Sequence, residues 1–394
     1  MRVLMITSPS ATHFLPMVPL AWAIRAAGHE ILVAAQPDAL GAVERAGLNA
    51  VSVGDPAGIN DALQALVEVR PGQRPLEWVG RWTTETFSVF PPVWLKHSQN
   101  VLPGYLELAK EYRPDLILAD VMECNALMVG EALGIPVAHH RYGVDPVSEP
   151  IKVGARTALR EQFESLGLTE LPEPTVVIDP CPAELQLPGL PAGIRMRYVP
   201  FNGSGTMPAW LRDERRAKTA RRRVAVSLGS HTLSMSGVPL LRNVLRAFEA
   251  QDVEIVATVE ERYREELGPV SSSVRLVEPL PLHLLLSSCD AVVHHGGNGT
   301  GMTSTSFGLP QIALPQIADS FGYGDQLAAS GAGITIDNAP QQDDPVHLRK
   351  AAESLLEDPS YAQSARKLGQ AVADLPSPAE TVTELVRVAE GVSA

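Results

Sequence analysis

Short apolar runs alternate with helix-length stretches in two separate series along this chain, and a sequence patterned that way has few folds open to it. Arg2 to Thr7 reads as a buried strand, followed by a loop, a helix opened by Pro16 and Pro19, a stop at Gly28 and a second strand over Ile31 to Ala35. The alternation returns at Leu116 to Asp120 and at Glu131 to Val137. A second series starts at Val224 to Leu228 and continues through Val253 to Ala257, Val274 to Val277, Ala291 to Val293 and Gln311 to Leu314. Runs this apolar are covered on both faces, which means parallel sheets flanked by helices. Pro188 to Pro208, ending in Asn202-Gly203-Ser204-Gly205, interrupts both patterns and marks a domain boundary or a crossover. The expectation is an α/β protein of two doubly wound, Rossmann-like domains facing each other across a cleft. The first covers residues 1–205, a linker 206–220, the second domain 221–376, and a C-terminal helix over 377–394 packs back on the first domain.

Composition narrows the function classes. A net charge of −13, from 32 Lys and Arg against 45 Asp and Glu, works against a nucleic-acid partner, whose binding needs clustered cations. The one basic cluster, Arg212 to Arg223, is interleaved with Asp213 and Glu214 and reads as the solvated face of a linker. Three cysteines without CxxC spacing argue for a reducing compartment. The apolar start at Val3 to Ile6 is too short for a signal-peptide core, and no segment is apolar enough to span a bilayer, so a cytoplasmic protein is expected with no membrane partner.

Phosphate chemistry points to the second series. The first β-α turn, Ser8 to His13, holds no glycine, so backbone amides cannot approach a pyrophosphate there. After the strand at Ala291 to Val293, by contrast, come His294-His295-Gly296-Gly297-Asn298-Gly299-Thr300 and a helical stretch closed by Gly308. Such a turn offers unpaired N–H groups and the positive end of a helix, with the Thr300 hydroxyl and His295 as further donors. Glycines alone would equally serve tight packing. The two histidines alternate in direction on a strand, so one faces a site and the other the interior, which speaks against a shared metal. No P-loop and no Asp-x-Asp pair suggests a bridging Mg²⁺. Gly229 and Ser230, at the end of the strand from Val224, bring another amide and hydroxyl to the anion or form a simple turn. Asp319, after the strand at Gln311 to Leu314, can accept hydrogen bonds from sugar hydroxyls. The irregular stretch Val51 to Gly104 holds Trp78, Trp82, Phe87, Phe90 and Trp94, which either line a cleft or pin a loop to the core.

Taken together, these residues resemble the GT-B glycosyltransferases of family 1, and most closely the actinobacterial enzymes that attach deoxysugars to polyketide antibiotics. The likeness runs over the whole chain and is most specific in Val292 to Thr300, Gly308-Leu309-Pro310-Gln311, Leu314-Pro315-Gln316 and Asp319. It implies that His295 contacts the donor diphosphate and that Gly296, Gly297, Asn298, Gly299 and Thr300 complete the cradle. It also places Gly229, Ser230, Val277, Leu280, Asp319 and Ser320 around the donor. The general base it implies is His13, in Thr12-His13-Phe14-Leu15-Pro16, and the acid that orients it is Asp120. Arg141-Tyr142-Gly143-Val144-Asp145-Pro146 and Tyr198 to Gly205 are most similar to rhamnosyltransferases, with Tyr142 on the acceptor side. The chain departs from relatives at three positions: Ser320 where many have Gln, Val277 where plant relatives have Trp, and Thr12 where several bacterial ones have Gly.

The resemblance implies direct displacement with inversion: an acceptor hydroxyl attacks the anomeric carbon of a TDP-sugar while His13 takes its proton. No cofactor and no metal are expected. The acceptor is an apolar, polyketide-type compound bound by Trp78, Trp82, Phe87, Phe90, Trp94 and Tyr142; a homodimer stays open. A nucleotide-sugar epimerase on the same scaffold, or a non-catalytic donor-binding auxiliary protein, would share part of this pattern.

Overall fold

A computed structural model describes residues 1–70, 72–81, 91–216, 221–249 and 251–391. Two parallel sheets organise it. The first has seven strands in the order β3-β2-β1-β4-β5-β6-β7. These are β1 Arg2–Ile6, β2 Glu30–Ala35, β3 Ala50–Ser52, β4 Leu116–Asp120, β5 Val137–His140, β6 Val176–Asp179 and β7 Ile194–Arg195. The second has six, in the order β10-β9-β8-β11-β12-β13. They are β8 Arg222–Ser227, β9 Val253–Thr258, β10 Val274–Val277, β11 Ala291–His294, β12 Gln311–Ala313 and β13 Gly333–Thr335. The central strands are buried, as two-sided coverage requires, with Leu4, Met5, Ile117, Val226 and Val292 fully inaccessible, while the edge strands β3, β7, β10 and β13 are largely half-buried.

Each strand order reverses once. The first sheet grows outward from β1 to β3 and then resumes on the other side at β4; the second does the same at β8 and β11. The loops leaving β1 and β4 therefore part in opposite directions, as do those leaving β8 and β11, and open sheets of this kind bind ligands in that gap.

The sequence reading missed the order in Val51 to Gly104. Helices cover Ile59–Glu68, Pro75–Trp78 and Pro91–Tyr112, the last running 22 residues through Pro103. Prolines at 91, 92 and 103 mask its periodicity, although Val101, Leu102, Tyr105 and Ala109 share a buried face at helical spacing. The helix Pro378–Ala389 opens with a Ser377 and Glu380 capping box. It buries Val382, Leu385 and Val388 in one cluster with Val3, Met5 and Leu20 of the first domain. A further cluster joins the two halves, with Val144, Leu185 and Tyr198 meeting Met302, Tyr323 and Leu327. All three cysteines are buried thiols. Among the described residues no helix is long and apolar enough to cross a membrane.

Candidate active site

Both strand-order reversals open onto one cavity of about 430 Å³ between the sheets. Its first-domain side is lined by His13, Leu15, Pro16, Tyr142, Tyr198, Phe201 and Asn202. Its second-domain side takes residues from the ends of β8, β9, β10, β11 and β12, including Ser227, Gly229, Thr258, Glu260, Leu280, His295, Gly297, Asn298, Gly299, Thr300, Asp319 and Ser320.

His13 follows β1 and Asp120 ends β4, so the reversal in the first sheet brings together side chains 107 residues apart. His13 Nδ1 lies 2.7 Å from Asp120 Oδ2. The histidine is 17% exposed and the carboxylate is sealed from solvent. A carboxylate only accepts, so Nδ1 carries the proton and donates it, which leaves Nε2 as the basic nitrogen. The other Asp120 oxygen accepts the Met122 amide at 2.9 Å, which fixes the carboxylate plane. Burial by itself lowers the pKa of His13, but the charge and hydrogen bond of Asp120 outweigh it and hold the group above 6.5. Burial likewise raises Asp120, and the same pairing overrides it to leave the carboxyl below 3.8. The Tyr142 ring meets the imidazole edge-on, centroids 5.0 Å apart.

On the opposite wall two helices begin at the cavity. Gly229–Ala247 follows β8 and Asn298–Ser306 follows β11, and neither N-cap supplies a side-chain hydrogen bond to the first turn. The first-turn N–H groups of a helix have no partner within it and point out of its end. Here that end is lined by Gly297, Asn298, Gly299 and Thr300. His295 sits between the two helices. A Cβ on Gly229, whose φ is +75°, would stand 3.2 Å from the ring, and one on Gly297 only 2.3 Å from His295 Nε2. Glycine at both positions is what lets the imidazole reach the cavity.

Its neighbour has another task. His294 is wholly buried, with Nε2 2.9 Å from Gln311 Oε1 and Nδ1 accepting the Gly296 amide at 3.0 Å. Burial drives its pKa down to about 3, so it is a neutral strut. Among the described residues no group of three His, Cys, Asp or Glu side chains gathers to hold a metal.

Several residues fall elsewhere than the sequence suggested. The Gly296 amide is consumed by His294, so this glycine shapes the turn and does not donate to a ligand. Val277 packs into the apolar cluster of Leu282 and Leu285, and Leu280 takes the cavity position instead. Ser320 reaches the lining, but its hydroxyl donates to the Ile317 carbonyl and so closes its own turn. The Trp78 ring lies under the Arg70 guanidinium, 4.4 Å away, and takes no part in the cavity lining. Trp82, Phe87 and Phe90 lie outside the described residues, as do the side chains of Trp94 and Ser230.

Asp319 faces the cavity, and the Asn298 amide donates to its Oδ2 at 3.3 Å. Burial pushes its pKa above 3.8, against the pull of a charged His13. The sequence reading passed over Thr258 and Glu260. Both follow from the strand-end rule that located Asp319, had the strand from Val253 been carried one residue further. Gln36 Oε1, Glu123 Oε2 and both amide atoms of Asn125, on segments that leave β2 and β4, are buried without a hydrogen-bond partner. No periodicity signals them.

Two Rossmann-like sheets, a His–Asp pair on one wall and paired helix N-termini on the other define a GT-B glycosyltransferase. Its family is equally clear. Models of the erythromycin biosynthesis protein CIII-like family match residues 22–229 with the N-terminal domain and 242–388 with the C-terminal domain, and the chain belongs to that family. The L-demethylnoviosyl transferase of Streptomyces niveus is 35% identical over 100% of this chain and 98% of its own length. The spinosyn rhamnosyltransferase SpnG superposes with a TM-score of 0.82 at 36% identity, covering 98% of this chain and all of that one. It has been solved with thymidine diphosphate and with spinosyn aglycone. The glycosyltransferase VinC, in complex with dTDP, has a TM-score of 0.81 at 29% identity, over 99% of this chain and 100% of its own. The protein is thus a glycosyltransferase of the kind that places deoxysugars on polyketide antibiotics.

Proposed function

We propose that the enzyme moves a rhamnose-like deoxysugar from its TDP conjugate to a hydroxyl of an apolar polyketide-type acceptor, with inversion and without a metal. The observation that carries this reading is the His13–Asp120 pair facing, across one cavity, the two helix ends that hold His295. The acceptor hydroxyl gives its proton to His13 Nε2 as its oxygen bonds to the anomeric carbon. The bond from that carbon to the diphosphate oxygen breaks with its electron pair leaving on the diphosphate. Asp120 stabilises the imidazolium without taking the proton. The new negative charge develops at Gly297 to Thr300, where oriented amides and His295 meet it without reorganising.

A single displacement needs one base and no enzymic nucleophile, and the His13–Asp120 pair supports that inverting reading. Leu15, Pro16, Tyr142 and Phe201 on the first-domain side suit a wide apolar acceptor. The 36% identity to a rhamnosyltransferase supports the sugar, and thymidine diphosphate bound in that neighbour supports the base. The test is turnover of TDP-rhamnose against other TDP- and UDP-sugars with a polyketide aglycone, the anomeric configuration of the product being read by NMR. His13→Ala should lose transfer by about 10²- to 10⁴-fold while keeping its affinity for TDP. Near-normal turnover by that variant, or a retained configuration, would overturn the mechanism.

A further inference from the structure

The first domain sends one strap across to the second, and it lands beside Asp319. Arg74 donates to Gln342 Oε1, to the Ala339 carbonyl and to Asp343 Oδ2, each at 3.2 Å. Seven residues on, Arg81 grips Asp325 with both guanidinium arms, bonds Asp337 Oδ2 at 2.5 Å, and lies 5.1 Å from the centre of the Phe321 ring. The main chain joins in: Arg81 and Ala318 form a parallel β-bridge, and the Ala318 amide donates to the Gly80 carbonyl at 3.2 Å. Ala318 has φ of +56°, a left-handed conformation that a residue with a Cβ adopts only when its surroundings hold it there. The next residue is Asp319, and Phe321 and Asp325 lie on the helix Ser320–Ala329 that Asp319 begins.

From this geometry we infer that Arg81 is a positioning residue for donor-sugar recognition, holding the Ile317–Ser320 turn so that Asp319 stays aimed into the cavity. The inference rests on the reading of Asp319 as a contact to the donor sugar. Half-exposed ion pairs add little stability singly. Arg81 differs in that its planar fork ties Asp325 of this helix to Asp337 beyond β13 while the main chain beside it bridges Ala318, which fixes orientation as well as charge. Its substitution should therefore act on the sugar and spare the nucleotide, whose diphosphate is held from β8 and β11.

Two measurements on the full chain test this. In Arg81→Ala, amide hydrogen exchange of the ligand-free protein should speed up over residues 317–323 and stay unchanged at Asn298 to Ser306. TDP should bind as in the parent, whereas the affinity for TDP-rhamnose relative to TDP should fall about tenfold, the worth of one charge-assisted hydrogen bond. Arg81→Lys keeps the charge without the fork and should recover thermal stability but not the affinity ratio. Unchanged exchange over 317–323, an equal loss of TDP and TDP-rhamnose, or full recovery by Lys would each overturn the assignment. Should Arg81→Ala fail to fold, Asp337→Asn removes one arm of the grip and must shift exchange in the same direction. If the parent protein binds TDP-rhamnose no tighter than TDP, the donor-sugar reading fails, and the exchange data alone decide for or against Arg81.

Discussion

His13 shows how two opposing effects on one side chain decide what the enzyme can do at a given pH. Burial favours the neutral imidazole and Asp120 favours the charged one, and Asp120 wins. As the proposed base, His13 works only when neutral, so the acid limb of kcat/KM should fall above pH 6.5, and activity is lost as pH drops through it. Asp120→Asn removes the winning term and leaves burial. Its limb should move below that of the parent, with a large fall in kcat; an unmoved limb in a pH series would deny the coupling. The same pair has a stability consequence of opposite sense for its two members. The raised pKa of His13 contributes stability that is full below 6.5 and is lost as pH rises through its folded value. The lowered pKa of Asp120 contributes stability that is present above 3.8 and lost as pH falls. Gly297 tests the donor wall at the same scale. Ala there would place Cβ 2.3 Å from His295 Nε2, so the ring must leave its seat. Calorimetry should find TDP binding weakened by about tenfold or more, as for loss of a charge-assisted hydrogen bond, in a protein that still folds. Intact affinity would show that the ring position does not matter.

Among the elements, the helix Asn298–Ser306 owes its aim to what lies beneath it. Gly301 on this helix meets the Tyr323 ring so closely that a Cβ would stand 2.1 Å from Cζ. Tyr323 in turn bonds Gln311 Oε1, the atom that also meets His294. One packed unit thus fixes the helix that begins at the cavity, the strand β12 and the helix that starts at Asp319. Gly301→Ala overpacks it and should cost about 1–3 kcal/mol, read as a lower urea midpoint; a neutral result would mean that the two helices separate freely. Elements such as β11, its glycine turn and this helix were legible in the sequence because an apolar run, a turn composition and a helix stop follow one another without interruption. Val51 to Gly104 was not, because prolines inside Pro91–Tyr112 imitate loop chemistry while tertiary burial of Val101 and Tyr105 holds the helix. The His13–Asp120 pair could be named only from resemblance, since a strand crossover, and no local pattern, brings positions 107 apart together. Arg81 gave no signal at all: its partners Asp325 and Asp337 lie on the other domain.

Over the whole molecule, two charge effects pull stability in opposite directions on acidification. A net charge of −13 means that mild acid relieves repulsion, which by itself would stabilise the fold. Against this stand three buried imidazoles spread over both domains: His139 and His140 at the end of β5, each held down to about 4, and His294 to about 3, all by desolvation. Unfolding releases them to values near 6.5, so the unfolded chain binds more protons once pH falls below that. Their contribution is fully present above 6.5 and is lost progressively toward 4. Surface repulsion is screened over about 8 Å at physiological salt, whereas a buried imidazole is not. Each such group changes stability by up to about 1.4 kcal/mol per pH unit, so the histidines should dominate. The urea midpoint should therefore drop between pH 7.5 and 5.5 at 0.15 M salt, and His140→Phe should flatten that slope by about half a proton on average. A midpoint that holds or rises on acidification would give the result to surface charge and remove the buried histidines as the acid-sensitive element.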